Sequence, residues 1–168
     1  LTGDIRVSNP HGWLALLTYL RYWYAFWIER SAQWNDVTCG SGPMLAMRAD
    51  FLGEILVDWW TQTFLGKLCH YGDDRHVFTL AKKMGLATMF LPTAISWTDV
   101  PSDLRVWIRQ QTRWSRSFFR ETIFSVSWMF QRYGAFTLSD ISYQTIFPFA
   151  LIVAFWNLAG NMIRSFMV

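Results

Sequence analysis

Cysteine is almost missing from this sequence. Cys39 and Cys69 are the only two in 168 residues, too few for a disulfide framework. They read as free thiols in a reducing compartment. Zinc spacing is missing too, because His11, His70 and His76 do not cluster with the cysteines. Lysine is scarce: three Lys stand against twelve Arg in a chain of formal charge +3. Arginine favours bidentate contacts with phosphate or carboxylate. The opening run Leu1-Thr2-Gly3-Asp4-Ile5-Arg6-Val7 has neither the basic start nor the apolar core of a signal peptide. It reads as a strand entered midway through a domain, so a fragment is expected. There is no internal repeat and no low-complexity tract. Charge is absent from residues 146–160, and Arg164 is the only charged residue from 141 to 167.

Apolar and aromatic residues fill the space. Hydrophobic residues make up 52% of the chain and aromatics 18%, with eleven Trp, which is rich for a soluble domain. Residues 143–163 are long enough to cross a hydrocarbon layer of roughly 30 Å, and a membrane span is expected there. Asn157 and Asn161 interrupt it, and a buried helix is the competing reading. Residues 13–33 read as an aromatic helix whose charges, Arg21, Glu29 and Arg30, fall late. Such a helix suits either a membrane interface or the underside of a sheet.

The remaining pattern alternates. Residues 2–7 read as a strand, followed by a Ser8-Asn9-Pro10-His11-Gly12 turn. Residues 37–40 and 44–48 read as short strands around a Ser41-Gly42-Pro43 turn. Residues 49–60 form a helix capped near Asp50. Gly72 opens another helix that stops near Gly85. Residues 87–91 and 94–98 are expected as two short strands. Pro101-Ser102-Asp103 starts a long helix through about Phe130. Strands alternating with helices predict an α/β domain, a sheet covered by helices.

Two constellations can carry chemistry. On the long helix, Arg105, Arg109, Arg113, Arg116 and Arg120 fall within an arc of about 80° at roughly 100° per residue. A solvated basic face is the plain reading, and binding of anionic lipid headgroups is a second. A third applies to Gln110-Gln111-Thr112-Arg113-Trp114: Arg113 can hold a diphosphate bidentately, Gln110 can add a hydrogen bond, and Trp114 can offer a sugar ring an apolar platform. The other constellation is Gly72-Asp73-Asp74-Arg75-His76. Its plain reading is a helix start, with acids favoured by the helix dipole. Its functional reading makes one aspartate a general base for an attacking hydroxyl. The turn Ser41-Gly42-Pro43 lets backbone approach a ligand closely, although it is equally an ordinary turn.

The ordered segments Arg21-Tyr22-Trp23-Tyr24-Ala25-Phe26, Cys39-Gly40-Ser41-Gly42-Pro43, Gln62-Thr63-Phe64-Leu65-Gly66, Gly72-Asp73-Asp74-Arg75-His76 and Gln110–Glu121 resemble those of the processive membrane glycosyltransferases of family 2. Within that family the hyaluronan-type branch is the nearer likeness, and the chitin-oligosaccharide synthases are the rival. The resemblance implies a partial cytosolic GT-A-type domain with interfacial helices over residues 1–133 and a transmembrane helix region over 134–168. It implies Asp74 as catalytic base. It places Gln110, Arg113, Cys69 and Asp73 on the donor, and Trp114, Ser41, Gly42 and Pro43 on the acceptor. It also implies Mg²⁺ or Mn²⁺, with ligands expected upstream of this chain and no metal ligand within it. The expected partners are UDP-sugar donors, a growing polysaccharide acceptor and membrane lipid, with no nucleic acid. A multi-pass membrane protein is expected, and the fragment is not expected to turn over alone. A non-catalytic basic module binding the membrane is the alternative from a different class.

Overall fold

The computed structural model describes residues 1–69 and 71–166. His70 lies outside them, so the expectation that it stands apart from the cysteines is not addressed; the side chain of Ile163 lies outside them too. In chain order the elements are β1 (Thr2–Val7), α1 (Trp13–Tyr24), a wider π-type stretch (Ala25–Arg30), α2 (Ser31–Gln33), α3 (Ala49–Trp60), β2 (Thr63–Phe64), β3 (Lys67–Leu68), α4 (Asp73–Lys83), β4 (Phe90–Thr98), α5 (Leu104–Ser125), α6 (Met129–Arg132) and α7 (Ala135–Phe166). The expected α/β class holds. β1 and β4 pair in parallel with helices between them, as parallel pairing requires a long crossover.

Strand β4 was expected as two pieces and is one. Its register against β1 slips between Gly3, opposite Leu91, and Asp4, opposite Ile95. Pro92 lies in the slip and cannot donate to the ladder, which gives the sequence its interrupted look. Gly3 is required at this bulge: a Cβ there would lie 2.1 Å from the Ala94 carbonyl oxygen.

The strands expected at 37–40 and 44–48 do not form. The turn at Ser41 closes tightly, with the Met44 N–H donating to the Ser41 carbonyl at 2.9 Å. Only isolated bridges remain, Asp36 to Thr88, Thr2 to Leu45 and Ser41 to Met44. Gly40 is pressed against Phe78, where a Cβ would meet the ring at 2.6 Å. The segment therefore crosses the end of β1 instead of running along it. Cap positions also move by a residue or two. Arg48 caps α3, and Asp50 sits in its first turn, accepting from the Phe51 N–H at 2.9 Å.

Other boundaries follow local chemistry. α4 ends in a Schellman-type pair: Gly85 N–H reaches the Lys82 carbonyl and Leu86 N–H the Ala81 carbonyl, each at 2.9 Å, with Gly85 at φ 78°. Asp103 caps α5 by accepting from the Val106 N–H at 2.9 Å. The long helix expected through Phe130 stops at Ser125. A turn there carries Met129 and Tyr133 into a core cluster with Phe118 and Ile141, burial that a straight helix would forfeit. The main core lies between α3 and α4 around Val37, Phe51, Ile55, Val77 and Phe78.

α7 joins this body through polar contacts at its start. Asp36 accepts from the Gly134 N–H at 2.7 Å, and the Thr137 hydroxyl donates to the Asp36 carbonyl at 3.3 Å. Gln33 donates to Asp140 at 2.9 Å. Asp36 is also ion-paired with the buried Lys82 of α4. Beyond this anchor α7 touches the body through Ile141 and through Phe149, whose ring lies 6.3 Å from that of Phe119, and its most apolar stretch within Ala135–Met162 is otherwise unburied. The described side chains of residues 143–162 are exposed or half-buried, which does not match the buried-helix reading of 143–163.

Candidate active site

Gly72 sets the start of α4. It takes the left-handed conformation, φ 71°, which glycine adopts without a Cβ penalty. The turn places Asp73 and Asp74 in the first turn of α4, where the exposed N–H groups favour a carboxylate. The two aspartates diverge. Asp73 is exposed, and its carbonyl accepts from the Trp59 indole N–H at 3.1 Å. Asp74 is half-buried, and its carboxylate accepts from the Arg75 N–H at 2.8 Å and the Gly42 N–H at 3.3 Å. The structure thus brings Asp74 onto the Ser41-Gly42-Pro43 turn, 32 residues away in sequence. That turn is itself fixed, because the buried Ser41 donates its N–H to the Thr2 hydroxyl at 2.9 Å. Gly42 and Pro43 face solvent.

The second half of the site lies on α5. Arg113 is exposed, and Gln110 and Trp114 are half-buried. Trp114 packs on α1: the Tyr22 ring is 6.1 Å away with planes 33° apart, and the Arg21 guanidinium lies over the indole at 5.2 Å. Trp107, two turns earlier, donates to the Thr18 hydroxyl at 3.1 Å, so α5 is seated along α1 by two tryptophans. Tyr22 also borders a cleft of about 320 Å³ whose walls include Trp23, Trp27, Trp97, Asp4 and Arg6. Burial pushes the Tyr22 phenol up from its ordinary value, against the pull of Arg21 and Arg30. It therefore stays neutral at this face.

The two halves are joined through the next turn of α5. Ser117 lies directly under Gly72; a Cβ on Gly72 would sit 1.8 Å from its hydroxyl oxygen. Ser117 is one turn beyond Arg113, about 6 Å along the helix axis. The Arg75 guanidinium lies over the Phe118 ring at 5.4 Å. Arg120 and Glu121, both 4% exposed, reach back to the Gly72 turn and to His76. Arg120 therefore leaves the solvated stripe in which its spacing placed it, whereas Arg105, Arg109, Arg113 and Arg116 are exposed. Sequence reasoning assigned no role to Ser117, Arg120, Glu121 or His76. The available signal was Glu121, the sole acid in a helix carrying five arginines.

Cys69 is buried, and its N–H donates to the Gln62 carbonyl at 2.9 Å. That bond closes the small β2–β3 hairpin ahead of the Gly72 turn, so Cys69 reaches the site through backbone connectivity. Among the described residues no group of three or more His, Cys, Asp or Glu side chains comes together as a metal site. Asp73 and Asp74 do not make one between them.

With this geometry in view, the comparisons with known proteins are specific. Hyaluronan synthase 2 of Xenopus laevis is 37% identical over 153 residues, which cover 89% of this chain and 28% of that protein. Hyaluronan synthase 1 of Xenopus tropicalis is 37% identical over 150 residues, 88% of this chain and 25% of that protein. Hyaluronan synthase 2 of Homo sapiens matches at the same 37% over 153 residues. The chain thus spans about a quarter of the length of these relatives. The model of the family described as glycosyltransferase like family 2 matches residues 1–117. That span takes in Asp74, the Gly42 turn, Trp114 and the Ser117 contact that joins the two halves, and on it the chain belongs to glycosyltransferase family 2.

Proposed function

We propose that this chain is the part of a membrane-embedded processive synthase that holds its catalytic base and acceptor platform, and that the intact protein polymerises UDP-GlcNAc and UDP-GlcUA into hyaluronan. The observation that carries the reading is the meeting of Asp74 with the Gly42 turn, joined through the Gly72–Ser117 contact to the helix that bears the Gln110–Trp114 motif. A carboxylate held by two backbone N–H groups is fixed in place, as a base must be. Similarity to the hyaluronan synthases supports the choice of sugars.

In this reading the acceptor hydroxyl lies against Asp74 on the solvent side of the Gly42 turn. Its proton passes to an Asp74 carboxylate oxygen as its own oxygen bonds to the anomeric carbon of the donor. The bond from that carbon to the diphosphate oxygen breaks, and UDP leaves with the electron pair. Arg113 and Gln110 meet the charge that gathers on the diphosphate, with Cys69 and Asp73 on the donor side. Trp114 presents the unburied part of its indole to the acceptor sugar, with Ser41, Gly42 and Pro43 opposite. The proposal includes Mg²⁺ or Mn²⁺ bound by residues outside this chain.

The reading also makes α7 a membrane span and the preceding domain cytosolic, where UDP-sugars are made. The exposed arginines before α7 fit the positive-inside rule.

Asp74→Asn in the full-length protein tests the assignment. Transfer should fall by about 10²–10⁴-fold, while titration with UDP-sugar shows donor binding within about twofold of wild type. Polymerisation at the normal rate would sink it.

A further inference from the structure

We infer that Arg120, Glu121 and His76 are positioning residues that hold the Gly72 turn, and through it Asp74, in register with the donor-gripping turn of α5. The inference rests on the reading of Asp74 as the base. The two halves of the site lie on different helices: Asp74 is at the start of α4, and Gln110, Arg113 and Trp114 are on α5. Their spacing is only as exact as the contact between α4 and α5.

That contact is concentrated at the end nearest the chemistry. The Arg120 guanidinium spends its donors on three acceptors. It reaches the Tyr71 carbonyl at 2.8 Å, the Gly72 carbonyl at 3.2 Å and the Glu121 carboxylate at 2.7 Å. It also lies over the Tyr71 ring at 5.3 Å. Glu121 passes the grip on to α4: its oxygens lie 3.0 and 3.1 Å from His76 Nδ1. The His76 ring then meets Phe124, one turn further along α5, edge-on at 5.5 Å. A guanidinium bound to two consecutive carbonyls fixes the peptide planes on both sides of Gly72. Asp74 is two residues on, so a rotation of that turn swings its carboxylate away from Gly42. Lysine cannot substitute for this fork, since its ammonium is a single point with no planar spread of donors. Surrounding Arg120 with acceptors also keeps its charge from lying unpaired in a buried site.

A merely structural clamp would lower folded protein without touching the chemistry. A positioning clamp instead lowers kcat and acts through Asp74. The test is Arg120→Lys in the full-length protein, alone and combined with Asp74→Asn, with steady-state rates and UDP-sugar binding measured on folded material. We expect Arg120→Lys to lower kcat by about 10–10²-fold, the scale of an ångström-sized misplacement, with KM for UDP-sugar within about twofold. In the Asp74→Asn background it should lower the residual rate no further. The same proportional loss in both backgrounds would overturn the inference, as would a loss confined to KM. Where the double variant is too slow to measure, the split between kcat and KM decides. If Arg120→Lys is not recovered folded, Glu121→Gln, which keeps the shape but not the charge, is read by the same criteria. Wild-type turnover by Asp74→Asn itself is a separate result that removes the base assignment.

Discussion

At Trp114 two demands meet in one side chain. Its indole packs on Tyr22 and Arg21, yet it remains half-exposed, as an acceptor platform requires. Trp114→Ala should weaken use of acceptor several-fold more than UDP-sugar binding, and Trp114→Phe should keep part of the activity. Rates against acceptor and donor concentration, measured separately, check this. Loss of folded protein in the alanine variant would place the ring in the core instead. Asp74, Gln110, Arg113 and Trp114 stood out in sequence as candidates by residue type, and the structure sets Asp74 against the Gly42 turn and Trp114 against α1. The buried fate of Arg120 was not. Periodicity reports the face of a helix on which a residue lies, and a buried arginine with acceptors around it shares that periodicity with exposed ones. Likewise, nothing in the spacing of Asp36 and Lys82 announces the buried ion pair that steadies the start of α7.

Between elements, the α4–α5 contact has a pH dependence whose sign can be worked out. Burial acts to raise the Glu121 carboxyl, but the hydrogen bond from His76, the charge of His76 and Arg120 outweigh it, and the net shift is downward from the ordinary 4.5. A carboxylate depressed in the folded state adds stability above its unfolded pKa and loses it as pH falls through the folded one. Acid unfolding should therefore steepen below about pH 4.5, and Glu121→Gln should flatten that limb while lowering stability near neutrality. Urea midpoints from neutral pH down to about pH 2, well below the ordinary glutamate value, measure it. Identical acid limbs in the two proteins would contradict the pairing. Element types were readable where periodicity was long, as in α1, α3 and α5. They failed where partners decided the outcome. Residues 44–48 have strand-like chemistry but find only one bridge to β1, and the slip at Pro92 hid the continuity of β4.

Across the whole chain, a polar anchor holds an apolar helix against a catalytic body. Apart from Leu138, Ile141 and Phe149, which meet the Phe118–Phe119 end of α5, the apolar side chains of α7 lie largely exposed. A chain ending at Val168 should stay with membranes in alkaline carbonate, whereas one ending at Gly134 should come off more readily. Equal release would show that α7 does not span. Donor consumption reveals what the intact protein makes. Membranes carrying the full-length protein should be given UDP-GlcNAc, UDP-GlcUA or both, and the product then digested with hyaluronidase or chitinase. Polymer should form only when both donors are present, with the two consumed in equal amounts and the product cut by hyaluronidase. Chitinase-sensitive oligomer from UDP-GlcNAc alone, or consumption of neither donor, would contradict it.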